Sequence, residues 1–347
     1  MSATLPEPEP ERVRSPYIGG PIYDSVLFVG APVLCIGLIW IFWNTGMVRE
    51  NGGNRVASFY LNTLLTGHLL VTLVRSHGNQ TLFKQFPLRF TAAPIGMYIA
   101  LLVFPKFRFF MNVVLNFWGH WHAFQQTFGL ARIYDTKVGN PPAEGRTLDF
   151  WLNVVLWMGP LLAGATYYGQ AQLLGEDLAP LFPGMKQSVP AYAALYSPWM
   201  TRVVVAGSIA FVAYYIYQYR LLYKAGHGVS RMKVGLLVCT GLALILGHGF
   251  NPGHQGRFLT VVFHYWQYFA IVWIVEGANL TRLFRLDGFR AGRWITLAIF
   301  LTIPIAVGMW LSSHSMDAPW RQSGVMLLSL MHFWYDGFVW SVRKKMV

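Results

Sequence analysis

Charge is what this sequence has least of. Asp, Glu, Lys and Arg make up 12% of its 347 residues, against about 25% in an ordinary soluble domain. Cysteine is almost missing. Cys35 and Cys239 are the only two, both inside apolar runs. That excludes a disulfide framework or a CxxC metal motif and leaves two small buried hydrophobes. Neither the glycine fingerprint of a dinucleotide fold nor a P-loop occurs, which excludes a nucleotide-driven step within the chain. The first residues are not read as a signal peptide, because no short apolar stretch with a small-residue cleavage site follows the early basic residues.

What is present is apolar: 54% hydrophobic and 16% aromatic residues. Ten runs stand out, at 24–44, 56–75, 90–105, 109–131, 148–168, 199–219, 232–248, 258–281, 293–312 and 323–342. Each is near the ~20 residues that cross ~30 Å of hydrocarbon. The expected fold class is therefore all-α, a polytopic integral membrane helix bundle of about ten transmembrane helices. The third run is short, ends in FPKF, and reads as tilted or re-entrant. The net charge of +13 lies between the runs rather than on one face, so the basic residues read as topology determinants and lipid contacts, not as a nucleic-acid surface. With the N-terminus inside, the tail and the even-numbered connections hold nineteen of the 27 Lys and Arg residues. That bias predicts cytoplasmic N and C termini, and the expected location is a bacterial inner membrane. Residues 1–22 are rich in Pro and Glu and predict a flexible tail. Residues 23–347 form a single transmembrane domain. The outer connection 169–198 predicts an interfacial helix or lid.

Several runs carry polar residues where lipid offers no partner. The stretch NVVLNFWGHWHAFQQTFGLARIYD, residues 112–135, holds His120 and His122 at its centre. Residues two apart on a helix point about 200° apart, so these two are expected to face different neighbours. His68, His264 and His332 lie in three other runs. His332 and Asp336 are four apart and share a face, so Asp336 is either a direct ligand or holds a ligand's N–H. The segment GHGFNPGHQGR supplies His248 and His254; its glycines and proline predict a bent backbone that can line a cavity. Glu276 falls about 18 Å beyond His264 by helical rise and is expected to pair with an inner-end arginine. His77 reads as interfacial. His227 and His314 read as connection residues.

Imidazoles with one carboxylate suit iron, copper or zinc better than magnesium or calcium, and helices that each give one or two ligands are how bundles build metal sites. The candidate metal ligands are His68, His120, His122, His248, His254, His264, His332 and Asp336, with iron the first choice. A metal among aromatic side chains admits lipidic substrates and small gases, which predicts an oxidoreductase performing hydroxylation, desaturation or oxidative cleavage on a hydrophobic small-molecule substrate. The dispersed histidines resemble, in architecture, the histidine-rich membrane non-haem iron oxygenases: desaturases, alkane hydroxylases and membrane β-carotene dioxygenases. The HxxxH and HxxHH boxes of the first two are absent. The ending HFWYDGFVWSVRKK resembles the ends of bacterial polytopic membrane proteins, which implies no activity. Two other classes fit the same residues: a haem- or chlorophyll-binding subunit of an electron-transfer or photosynthetic complex, and a proton or ion transporter. Membrane lipids and an electron-donor or complex partner are the expected partners, with no nucleic acid.

Overall fold

The computed structural model of the chain describes residues 15–44, 53–251, 253–313 and 318–340, without the side chains of 39, 42–44, 53–58, 60, 61 and 253–259. Among the described residues every regular element is helical. A short α1 (Pro21–Asp24) and a π turn (Ser25–Val29) lead into α2 (Ala31–Asn44) and α3 (Gly53–Ser76). Then come α4 (Gln80–Gln85), α5 (Pro87–Phe90), α6 (Ala92–Val103), α7 (Pro105–Lys137), α8 (Arg146–Ala163) and α9 (Thr166–Leu178). The rest is α10 (Met185–Lys224), α11 (Arg231–Leu244), a second π turn (Ile245–Gly249), α12 (Gly253–Leu283), α13 (Gly292–Ser312) and α14 (Pro319–Val339).

By length and composition, three described helices can cross a membrane: α10, α11 with its π turn, and α13. The number rises to six if each of three bent pairs is one crossing. The bends have local causes. Phe104 is extended ahead of Pro105, because a proline excludes the helical conformation from the residue before it. The chain there turns by 114° between Pro87–Val103 and Pro105–Lys137. Gly164 is likewise extended at the 81° bend between α8 and α9.

Two segments fold more regularly than their composition suggests. The 169–198 connection forms the end of α9 and the first turns of α10, which runs through Pro190 and Pro198 without a break. In GHGFNPGHQGR the irregular backbone is confined to the π turn and the residues just after it, and α12 already begins at Gly253.

Small residues set the closest helix crossing. On α3, a Cβ added to Gly67 would lie 3.2 Å from the Pro304 carbonyl of α13, and Gly308 faces the Thr63 carbonyl still more tightly. Elsewhere, buried charge joins the elements. Arg132 of α7 donates to Asp135 at 2.7 Å and to Asp149 of α8 at 2.5 Å, and also to the Pro142 and Glu144 carbonyls. Lys233 of α11 reaches Asp149 at 2.8 Å and Asp135 at 3.3 Å. Tyr215 and Tyr219 of α10 both donate to Asp149. Two cations thus meet two carboxylates, with hydroxyls and carbonyls adding further bonds, as buried charge requires; only Arg132 Nε is left without one in this group. His227 is no bare connection residue: it is buried here, 2.9 Å from Glu144 and 2.9 Å from Asn140.

Gly308→Val forces two branched carbons against the α3 backbone. Overpacking of this kind costs about 1–3 kcal/mol. The unfolding midpoint of the detergent-solubilised protein is expected to fall accordingly; an unchanged midpoint would show that the two helices separate at no cost.

Candidate metal centre

Four helices repeat one pattern: a histidine followed, four residues on, by a polar residue. The pairs are His68 and Thr72 on α3, His122 and Gln126 on α7, His264 and Tyr268 on α12, and His332 and Asp336 on α14. A spacing of four stacks the pair on one face, a turn apart. The structure brings the four faces together. The histidines are 1%, 6%, 3% and 0% exposed. Their ring centroids lie 4.8 Å apart for His68 and His332, 4.4 Å for His122 and His332, 5.0 Å for His122 and His264, and 5.5 Å for His68 and His264. The four imidazoles form a closed ring. The polar partners form a second layer, linked by Thr72 to Tyr268 and by Tyr268 to Asp336. For the two layers to meet in this order, all four helices must run in the same direction.

The hydrogen bonds fix two of the tautomers. His68 Nδ1 is 2.6 Å from the Leu65 carbonyl. A carbonyl only accepts, so Nδ1 carries the hydrogen and Nε2 the lone pair. Tyr268 donates its hydroxyl to Oδ1 of the Asp336 carboxylate at 2.9 Å. The Thr72 hydroxyl therefore donates to Tyr268, 3.0 Å away, and can only accept from His332 Nδ1, its other partner. His332 Nε2 is then also a lone pair. A chain of donors runs from His332 through Thr72 and Tyr268 to Asp336, where Trp340 adds a bond at 3.0 Å.

The nitrogens left over face one another. His68 Nε2, His122 Nε2, His264 Nδ1 and His332 Nε2 are buried and have no hydrogen-bond partner in the protein. Asp336 Oδ2 is 3.8 Å from His122 Nε2 and 4.0 Å from His332 Nε2. One ligand atom from each of His68, His264 and His332 lies within 4.8 Å of the others, and the same holds for His122, His332 and Asp336. Three ligands that each sit about 2.0–2.2 Å from one ion are about 3.8 Å apart when evenly spread around it, so either set closes on a cation by an inward shift of up to about 1 Å. Leaving such groups unpaired costs about 1–3 kcal/mol each, and a bound cation would remove that cost for several at once.

The remaining histidines lie elsewhere. His120 turns to the other side of α7, where its ring centroid is 6.3 Å from that of His248 in the second π turn. One and two turns earlier on the same side, Asn116 and Asn112 donate to Asp177 of α9. The side chain of His254 and the whole of His314 lie outside the described residues. Glu276 pairs with Arg75 at 2.7 Å and accepts from Asn79 and Asn279. His77 is held between Ser76 and the Phe90 carbonyl.

Thr72 is the residue that inspection of single helices misses. Alone on an apolar helix a threonine carries no signal; the signal is the same spacing on four helices. Thr72→Val keeps the shape and cuts the donor chain. Loss of a group that orients a ligand lowers metal affinity about 10–100-fold, and chelator competition is expected to show a drop of that size with folding intact. Equal affinity would mean that packing alone orients His332. No protein-family model, curated protein or solved structure matches this chain.

Proposed function

We propose that the chain is a multi-pass membrane protein that holds a single redox-active metal ion, iron, at His68, His122, His264, His332 and Asp336, and that it oxidises a hydrophobic substrate. The observation that carries this is that four buried, partnerless imidazole nitrogens and one carboxylate, from four helices, fall into two adjoining ligand groups that share His332. A neutral imidazole offers one lone pair, so His332, which belongs to both ligand sets, serves one ion. The set His122, His332 and Asp336 has the two-histidine, one-carboxylate composition that suits non-haem iron. Five ligand atoms leave one position of a six-coordinate ion for a small molecule.

Dioxygen is the oxidant in this reading. Cleavage of a carbon–carbon double bond places one oxygen atom in each product and needs no further electrons. Hydroxylation places one oxygen atom in the substrate and the other in water, and draws two electrons and two protons from a donor outside the chain. The donor chain from Asp336 to His332 holds the ligand in place in either case. The four rings pack within 4.4–5.5 Å of one another and leave no planar slot for a porphyrin between them, which favours a bare ion over a haem or chlorin. The pairing of Glu276 with Arg75 removes the most obvious carboxylate from a transport path.

Direction supports the ten-crossing arrangement with both termini cytoplasmic. Ligand helices that all run the same way need an odd number of crossings between consecutive members. One apolar segment separates α3 from α7, three separate α7 from α12, and α13 alone separates α12 from α14. The arrangement and the surplus of inner basic residues fit a bacterial inner membrane.

Elemental analysis and an optical spectrum of purified protein test the metal. One iron per chain without a Soret band is expected, falling below a tenth in His332→Ala and unchanged in His120→Ala. A Soret or chlorin band, or metal retained in His332→Ala, would overturn the assignment.

A further inference from the structure

A cavity of about 720 Å³ opens beside the metal ligands. His122, Asp336 and Tyr268 line one end, Arg132 and Arg146 lie toward the other, and aromatic rings make up much of the wall between. The two arginines differ. Arg132 spends its guanidinium on Asp135, Asp149 and two carbonyls. Arg146 has no acidic partner among the described residues; its guanidinium lies over the Phe128 ring at 5.4 Å. Phe128 is six residues beyond His122 on α7, about 9 Å by helical rise. The cavity is thus largely apolar, with Gln125, Gln126 and Thr136 also in its wall, one positive charge without an acidic partner near Phe128, and imidazole and carboxylate at the other end.

We infer that this cavity binds a long-chain carboxylate, with the anionic head on Arg146 and the hydrocarbon chain running past Phe128 toward His122 and Asp336. The assignment rests on the oxidase reading of the metal centre for its meaning, but not for the binding itself. A single free guanidinium matches a monoanion, and a carboxylate can take two parallel N–H bonds from it. A neutral alcohol or alkane would leave the Arg146 charge unused. A phosphate monoester carries more charge than the one cation present can balance.

Trp118, Trp121, Trp334 and Trp340 line the cavity, so a bromine-bearing chain that enters it quenches tryptophan fluorescence. The probes are 9,10-dibromostearate and its methyl ester, titrated into detergent-purified protein. The acid is expected to quench saturably at a concentration at least ten-fold lower than the ester. That preference is expected to vanish in Arg146→Gln and to survive in Arg146→Lys, which keeps the charge at an exposed position. Equal quenching by acid and ester in the wild type, or an acid preference that persists in Arg146→Gln, would overturn the assignment. So would displacement of the probe by oleyl phosphate at lower concentration than by oleate. Iron content measured on the same samples separates the two readings. Acid-selective quenching in iron-free protein upholds the carboxylate site and removes the oxidase, whereas iron-loaded protein without acid selectivity does the reverse.

Discussion

Everything around the centre depends on the hydrogen bonds that consume the outer nitrogens of two imidazoles. Because the Leu65 carbonyl takes the Nδ1 hydrogen of His68 and the Thr72 hydroxyl takes that of His332, the lone pairs of both rings point inward. An imidazole free to choose its tautomer would turn a hydrogen toward its neighbour and close the gap with a histidine–histidine bond. The polar layer forbids this for at least these two rings. It makes the convergence of bare nitrogens a property of the fold rather than of a particular moment in the side chains' motion.

The sequence made much of this legible. The charge deficit and long apolar runs pointed to apolar helices, and the shared face of His332 and Asp336 followed from a spacing of four. Helical geometry also separated His120 from His122, which the structure places on opposite sides of α7. Glu276 met an arginine. Other features were hidden for physical reasons. Arg132 and Lys233 read as topology determinants because sequence gives no sign of whether a helix end is wet; here both are buried against Asp149. The 169–198 connection reads as a short interfacial helix or lid, but its prolines give no sign that α10 absorbs both Pro190 and Pro198 and runs on unbroken. The third run, by contrast, reads as tilted or re-entrant from its FPKF ending, and the structure turns sharply there, by 114° at Pro105 between α6 and α7.

The two buried polar centres differ in kind. The Arg132, Asp135, Asp149 and Lys233 group is balanced: each charge meets its opposite and the remaining lone pairs are used. Removing one member leaves an uncompensated charge, which is why such networks resist piecemeal change. The histidine ring is unbalanced, with several nitrogens that no protein group reaches. The first arrangement stores no demand for a ligand and serves to tie α7, α8, α10 and α11 together. The second leaves a demand that a cation, a proton or a hydrogen-bond donor such as water would meet.

The order of the ligands along the chain carries a further consequence. His68, His122 and His264 are synthesised well before His332 and Asp336, which sit on the last described helix. Until α14 packs against α3 and α7, Thr72 and Tyr268 have each other but lack His332 and Asp336, the partners that set the direction of their hydroxyls. The site therefore comes into being in one late event, after most of the chain has left the ribosome. Early folding stages hold only an incomplete set of nitrogens, so any preference for one cation over another would belong to the finished protein and not to its assembly.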